Sequence, residues 1–200
     1  MIDISKIDFD KMNGLVPAII IDNFTGQVLM LGFMNKEAVE KTIDEKKVTF
    51  YSRSKKRLWT KGETSGNYLN LVDIKLDCDN DTLLISTNPE GNTCHLDQYS
   101  CFGIEKENYK FLKYLDKLIK DRKEKLPANS YTTKLFKEGE NRIIQKVGEE
   151  AVETLIAAKN NDRSEIINET SDLIYHLLVM LAEKDIELND VVENLQSRHK

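Results

Sequence analysis

The hydrophobic period of the chain changes near its middle. Up to about residue 102, apolar residues come in short runs and alternations broken by turn signals. Residues 15–22 form an apolar run, Thr25-Gly26 punctuates it, and residues 27–33 follow, which is the pattern of a β-hairpin. Asn35 can cap a short helix from Lys36 to about Lys46. Residues 48–52, 58–61, 68–76 and 82–87 predict further strands, separated by charged or glycine-containing turns. After Cys101-Phe102-Gly103 the spacing becomes three and four. Phe111, Leu112, Leu115, Leu118 and Ile119 make one helical stripe, and Leu126-Pro127-Ala128-Asn129-Ser130 breaks it. Further helices are predicted over about 131–138, 140–160, 163–184 and 189–198. The expectation is an α+β chain, with a β-rich domain over residues 1–106 and an all-helical domain over residues 107–200.

Composition narrows the class. Of the 200 residues, 40% are hydrophobic and 32% charged, as in ordinary globular proteins. The net charge of −5 argues against nonspecific nucleic-acid binding, which needs a basic face. It is also low for a handler of phosphates unless metal ions supply positive charge. No apolar run approaches the roughly 18 residues of a membrane span. The first residues lack the basic-then-apolar pattern of a signal peptide, so the expected location is cytoplasmic. Three cysteines cannot all pair within one chain, so metal ligation or free thiols are expected rather than a disulfide framework.

Those cysteines carry the first candidate chemistry. Cys78 is embedded in Asp77-Cys78-Asp79-Asn80-Asp81, and Cys94 and Cys101 bracket His95-Leu96-Asp97-Gln98-Tyr99-Ser100. Soft thiolates select zinc and hard carboxylates select magnesium. In a strand, alternate residues share a face, which would put Asp77, Asp79 and Asp81 on one side and Cys78 on the other. An acidic hairpin turn with a buried cysteine is the alternative. Three thiolates and one open position would make a catalytic zinc site. His95 could be a fourth ligand, but adjacent side chains are expected to diverge, which favours an acid–base role. Residues 52–67, SRSKKRLWTKGETSGN, combine phosphate-binding cations, flexible glycines and a stacking tryptophan. A solvated charged hairpin is the other reading of that stretch.

The strings SRSKKRLWTKGETSGN, DCDND and CHLDQYSCF occur in the same order as in the phosphoribosyl-AMP cyclohydrolases of histidine biosynthesis, a resemblance covering roughly residues 13–103. It implies zinc on Cys78, Cys94 and Cys101, shared across a homodimer interface, and magnesium on Asp77, Asp79 and Asp81. It also implies substrate contacts from Arg53, Trp59, Lys61, Gly62, Ser65 and Gly66. The reaction implied is attack of a zinc-activated hydroxide at C6 of the adenine ring, opening the N1–C6 bond. One departure stands out: the family usually has Thr-Gly after the Cys-His pair, where this chain has Leu96-Asp97.

Helical geometry carries the second candidate site. At about 100° per residue, Ile143, Ile144, Val147, Ala151 and Leu155 share a face, and Lys146, Glu149, Glu150 and Glu153 lie across from it. In the next helix Glu165, Glu169, Asp172 and His176 form a narrow stripe opposite a broad apolar arc. Glu150/Glu153 and Glu169/Asp172 are (i, i+3) pairs, so each pair projects together. If the helices are antiparallel, four carboxylates can converge and would call for divalent cations. Two solvated amphipathic faces are the alternative.

The order Glu149-Glu150-X-X-Glu153 then Glu169-X-X-Asp172 resembles the all-α nucleoside triphosphate pyrophosphohydrolase superfamily. With Ser130-Tyr131-Thr132 and the stretch 145–153, it is similar to phosphoribosyl-ATP pyrophosphohydrolase over roughly residues 109–198. The resemblance implies magnesium on Glu150, Glu153, Glu169 and Asp172, cleavage between the α and β phosphates, and Lys146 on the leaving group. No role is evident for His176, and His199 is expected in a solvated tail. Together the resemblances imply a bifunctional enzyme, since the second activity makes the phosphoribosyl-AMP that the first consumes. The competing readings are a zinc nucleobase deaminase fused to a house-cleaning nucleotide pyrophosphatase, and a non-enzymatic zinc module. The first would want His-X-Glu and Cys-X-X-Cys pairs that this chain lacks. The second leaves the tripled aspartates unexplained.

Overall fold

The computed structural model describes residues 2–199. It divides into two compact units, one up to Phe111 and one from Leu112. Both have the secondary structure the periodicity predicts, β-rich and then helical.

The first unit contains β1 (Val16–Asp22), β2 (Val28–Met34), α1 (Lys36–Glu45), β3 (Thr49–Ser52), β4 (Arg57–Thr60), β5 (Leu69–Leu76) and β6 (Leu83–Pro89). A four-stranded sheet runs β2-β1-β6-β5, and β3-β4 make a separate hairpin. β1 pairs antiparallel with β2 and parallel with β6. Along β1, burial alternates. Val16, Ala18, Ile20 and Asp22 are buried, and the residues between them are half-buried. Pro17 lies just before the β6 pairing begins at Ala18, so its missing N–H costs no bond on that side. Asn35 Oδ1 accepts from Ala38 N at 2.9 Å and starts α1, as expected. The helix stops at Lys46, whose φ of 57° is left-handed. Thr42 then links α1 to β3, accepting from Thr49 N at 2.9 Å. Gly32 allows the β3 hairpin to close on the sheet, because a Cβ there would stand 2.3 Å from the ring of the fully buried Phe50.

The second unit contains α2 (Phe111–Lys125), α3 (Tyr131–Glu138), α4 (Glu140–Asn160), α5 (Arg163–Glu183) and α6 (Leu188–Arg198). Ser130 caps α3 and Asp162 caps α5 through side-chain oxygens. The two residues between α4 and α5 turn the chain back, and these helices make the unit's most extensive contact. Its core gathers Ile119, Leu135, Ile143, Leu178, Val179 and Ala182.

One expectation about α4 is corrected here. The stripe from Ile143 through Ile144 to Leu155 is not its packed line. Ile143, Glu150 and Ala157 are the buried residues of the helix, whereas Ile144 and Leu155 are 45% and 69% exposed. Seven residues make about two turns, so Ile143, Glu150 and Ala157 lie nearly in line. Packing follows that line and carries Glu150 inward against α5. On α5 the same holds for His176, which is 3% exposed.

Candidate active sites

In the first unit, the loop after β4 and the loop after β6 face each other across a cavity of about 500 Å³. Trp59, Lys61 and Ser65 line one side, and Cys94, His95 and Cys101 line the other. Gly62 shapes the first loop. Its φ is 95°, and a Cβ would stand 2.6 Å from Tyr68 N, so only glycine fits. Asn67 joins the loops, with Nδ2 donating to Asn92 O at 3.1 Å. Asn92 Nδ2 in turn donates to Asp97 O at 2.8 Å and Asp97 Oδ1 at 3.0 Å. That pairing explains the departure at Leu96-Asp97. Asp97 has φ 56°, a left-handed backbone that glycine adopts freely and aspartate tolerates. The loop shape survives the loss of glycine, and the carboxylate is held by Asn92.

Cys94 and Cys101 come together in this cavity. Burial pushes the Cys101 thiol up, and the neighbouring Cys94 adds to the shift. Burial lowers the Lys61 ammonium, opposed by the two sulfurs. His95 does not diverge from its neighbour as expected, since its Nδ1 lies 3.9 Å from Cys94 Sγ. The imidazole is exposed at the cavity lip. Cys78 is exposed, and among the described residues it does not join the other two thiols in a three-donor group within the chain. Arg53 and Gly66 do not line the cavity, and the Arg53 guanidinium lies 3.8 Å over the Phe33 ring.

The strand geometry expected for residues 77–81 is corrected. They form the turn between β5 and β6, with Asn80 left-handed at φ 63°. Asp77 Oδ1 accepts from Asp81 N at 3.0 Å and Thr82 N at 3.1 Å, closing the turn. Curvature rather than alternation therefore gathers the three carboxylates, each offering an oxygen within 4.8 Å of the others. The Lys11 ammonium stands on the cluster, 2.9 Å from Asp79 Oδ2 and 3.1 Å from Asp81 Oδ2. It holds the Asp79 carboxyl below the usual range. Lys11 was not foreseeable from local pattern, because it lies 68 residues away in sequence.

In the second unit, Glu150, Glu169 and Asp172 bring carboxylate oxygens within 4.8 Å of one another. Glu153 is not one of that three-residue group, but its carboxyl is pushed up by the neighbouring Glu150 charge first, then by burial, with Glu169 adding. Glu165 lies outside the cluster. Lys146 Nζ bridges Glu150 Oε1 at 2.5 Å and Glu149 Oε2 at 3.0 Å. Glu149 is also held by Arg142 at 3.2 Å and Gln145 at 2.7 Å. His176 Nε2 lies 3.9 Å from Glu150 Oε1. Burial lowers the imidazole's pKa, and Glu150 opposes that shift. The Tyr131 and Tyr175 rings stand edge-on to it. Both clusters are hard, oxygen-rich donor sets suited to divalent cations.

Comparison with known proteins agrees with this division. The family model of phosphoribosyl-AMP cyclohydrolase matches residues 30–103, and that of phosphoribosyl-ATP pyrophosphohydrolase matches residues 112–199. The chain is 57% identical over 195 residues to the histidine biosynthesis bifunctional protein HisIE of Bacteroides thetaiotaomicron, covering 97% of this chain and 96% of that one. It is 54% identical to the same protein of Escherichia coli strain K12, over 98% and 96% of the two chains. The counterpart from Buchnera aphidicola is 52% identical over 198 residues, covering 99% of this chain and 92% of the relative. Among the described residues no helix is long and apolar enough to cross a membrane. The chain belongs to the bifunctional histidine-biosynthesis family of metal-dependent hydrolases, which joins a phosphoribosyl-AMP cyclohydrolase domain to a phosphoribosyl-ATP pyrophosphohydrolase domain.

Proposed function

We propose that the two reactions of this family are divided between the two donor sets, with the domains meeting near residues 106–107. The β-rich domain opens the adenine ring of phosphoribosyl-AMP in the cavity between Lys61 and Cys94. Soft donors suit zinc, and the thiols of Cys94 and Cys101 stand side by side. Cys78, exposed and apart from them, completes the set from a second copy of the chain, which makes the enzyme a homodimer. Zinc held there supplies Lewis acidity that makes water nucleophilic near neutral pH. His95 at the cavity lip moves the proton, Trp59 stacks on the base, and Lys61, Gly62 and Ser65 hold phosphate, with Arg53 and Gly66 contacting the substrate from outside the cavity lining. Asp77, Asp79 and Asp81 hold magnesium.

The helical domain cleaves phosphoribosyl-ATP to phosphoribosyl-AMP and pyrophosphate. Glu150, Glu153, Glu169 and Asp172 hold magnesium, which screens the phosphate chain. Lys146 turns its ammonium to the leaving group. The setting is cytoplasmic, where nucleotide substrates are at hand.

The observation that carries this reading is that the paired thiols of Cys94 and Cys101 lie in the first unit, whereas the carboxylates of Glu150, Glu169 and Asp172 gather in the second, where there is no cysteine. Cys94→Ser is expected to abolish ring opening and leave pyrophosphate release intact, and Glu153→Gln to do the reverse. Loss of both reactions from either folded variant would end the two-site division.

A further inference from the structure

The segment carrying Cys94 and Cys101 has no strand or helix of its own between Pro89 and Asn108. It is a strap laid on the β1–β2 hairpin. Ser100 Oγ donates to Val28 O at 2.8 Å, and Cys101 N donates to Leu29 O at 2.8 Å. Farther along, Gln27 Nε2 donates to Glu105 O at 2.8 Å and Gln27 Oε1 accepts from Glu107 N at 2.9 Å. Between the thiols, Tyr99 adds a second side-chain tie next to that of Ser100. The Tyr99 hydroxyl donates to Asp22 Oδ2 at 2.9 Å and lies 2.9 Å from Thr25 Oγ1.

Asp22 is fully buried, the last residue of β1. Its other oxygen accepts from Phe24 N at 2.8 Å and Thr25 N at 3.1 Å, which sets the hairpin turn. Since the Tyr99 proton is committed to Asp22, Thr25 must donate to the Tyr99 oxygen, while Thr25 Oγ1 accepts from Gln27 N at 3.2 Å. The result is a directed chain: Gln27 N to Thr25 to Tyr99 to Asp22. Each link is committed to one donor, and breaking it would strand a buried carboxylate oxygen.

We propose that Tyr99, held by Asp22 and Thr25, is a positioning residue that fixes the strap and thereby the spacing of the Cys94 and Cys101 thiols. This rests on the reading of those thiols as zinc ligands. Two sulfurs share one ion only when both reach about 2.3 Å from it; the strap's backbone closes a local turn, with Cys94 N donating to Gln98 O at 2.9 Å and Thr93 N to Tyr99 O at 3.3 Å, and the Tyr99 side chain ties that turn to β1. Tyr99 lies two residues before Cys101 and is five after Cys94, so a shift of its ring moves both donors.

The test is a cobalt(II) titration of the full chain, read by the thiolate-to-cobalt charge-transfer band and the d–d bands. Tyr99→Phe is expected to weaken cobalt binding about 10-fold or more and to alter the d–d envelope. Thr25→Val should weaken it less, in the same direction. Unfolding of the metal-free proteins, followed by emission of Trp59, the single tryptophan, checks that the variants fold. If Tyr99→Phe does not fold, Thr25→Val carries the test. Wild-type affinity and spectrum in a folded variant would overturn the positioning role. Absence of any thiolate band in the wild type would instead overturn the zinc reading, and this proposal with it.

Discussion

Lys146→Met removes one charge from the most buried ion pair of the helical unit. Glu150 is 5% exposed, and Lys146 Nζ lies 2.5 Å from its Oε1. Methionine keeps an unbranched apolar stem and deletes only the ammonium. Breaking a buried pair by removing one partner costs about 3–5 kcal/mol, because the remaining charge is left without compensation. His176 at 3.9 Å is depressed by burial and carries little charge near neutral pH, so it gives little relief. We take the lower end, about 3 kcal/mol, because nearby Arg142 retains its charge. That is about 100-fold in the folding equilibrium. The assay is urea unfolding in chelator near pH 7.5, followed by far-ultraviolet circular dichroism, which the helical unit dominates. Trp59 emission serves as an internal control for the other unit. Magnesium should recover much of the loss, because the cation supplies the charge that lysine supplied. A metal-free variant within about 0.5 kcal/mol of wild type would refute the view that the Lys146–Glu150 pair stabilises the helical unit.

Three further outcomes follow from particular contacts. Gly62→Ala should destabilise the β-rich unit by about 2 kcal/mol or more, since φ is 95° and the new Cβ meets backbone at 2.6 Å. A wild-type midpoint in Trp59-monitored unfolding would contradict this. His176 is held below its ordinary pKa by burial, so the unfolded chain binds more protons as pH falls below about 6.5. Stability of the helical unit should therefore drop on acidification from that point. In His176→Asn the slope of unfolding midpoint against pH should flatten, and an unchanged slope would assign the effect elsewhere. Asp97→Gly should leave ring opening within about 3-fold of wild type, because glycine adopts the same left-handed backbone, and a larger fall in kcat/KM would show that the Asn92 contact matters more than the turn.

How much was legible in advance depended on how local the cause was. Alternation in β1, the Asn35 cap and the stripe from Phe111 to Ile119 are read within a few residues, and the elements stand where their periods put them. The parallel pairing of β1 with β6 was not legible, because it joins residues 18–22 to residues 83–87. For the acidic residues 77–81 a strand face and a hairpin turn were both open, and the turn is what forms. Three aspartates at alternate positions suit a strand face equally well, and only the left-handed Asn80 decides the matter. Glu150 was placed across from a stripe running from Ile143 to Leu155, which was taken as the packed line of α4. Its sevenfold spacing from Ile143 and Ala157 was the available signal, and it outweighs residue type once α5 covers that line. Asp22, Asn92 and Tyr99 carried no signal at all in isolation. Their importance comes from partners between 5 and 77 residues away.

The central claim is that two metal-dependent sites act in order on one nucleotide. The most direct measurement supplies purified enzyme with phosphoribosyl-ATP and magnesium, with and without a zinc-selective chelator, and follows all products. With chelator, phosphoribosyl-AMP and pyrophosphate should accumulate in equal amounts while ring-opened product is absent until zinc is restored. Continued ring opening under chelation, or a halt in pyrophosphate release, would contradict the account.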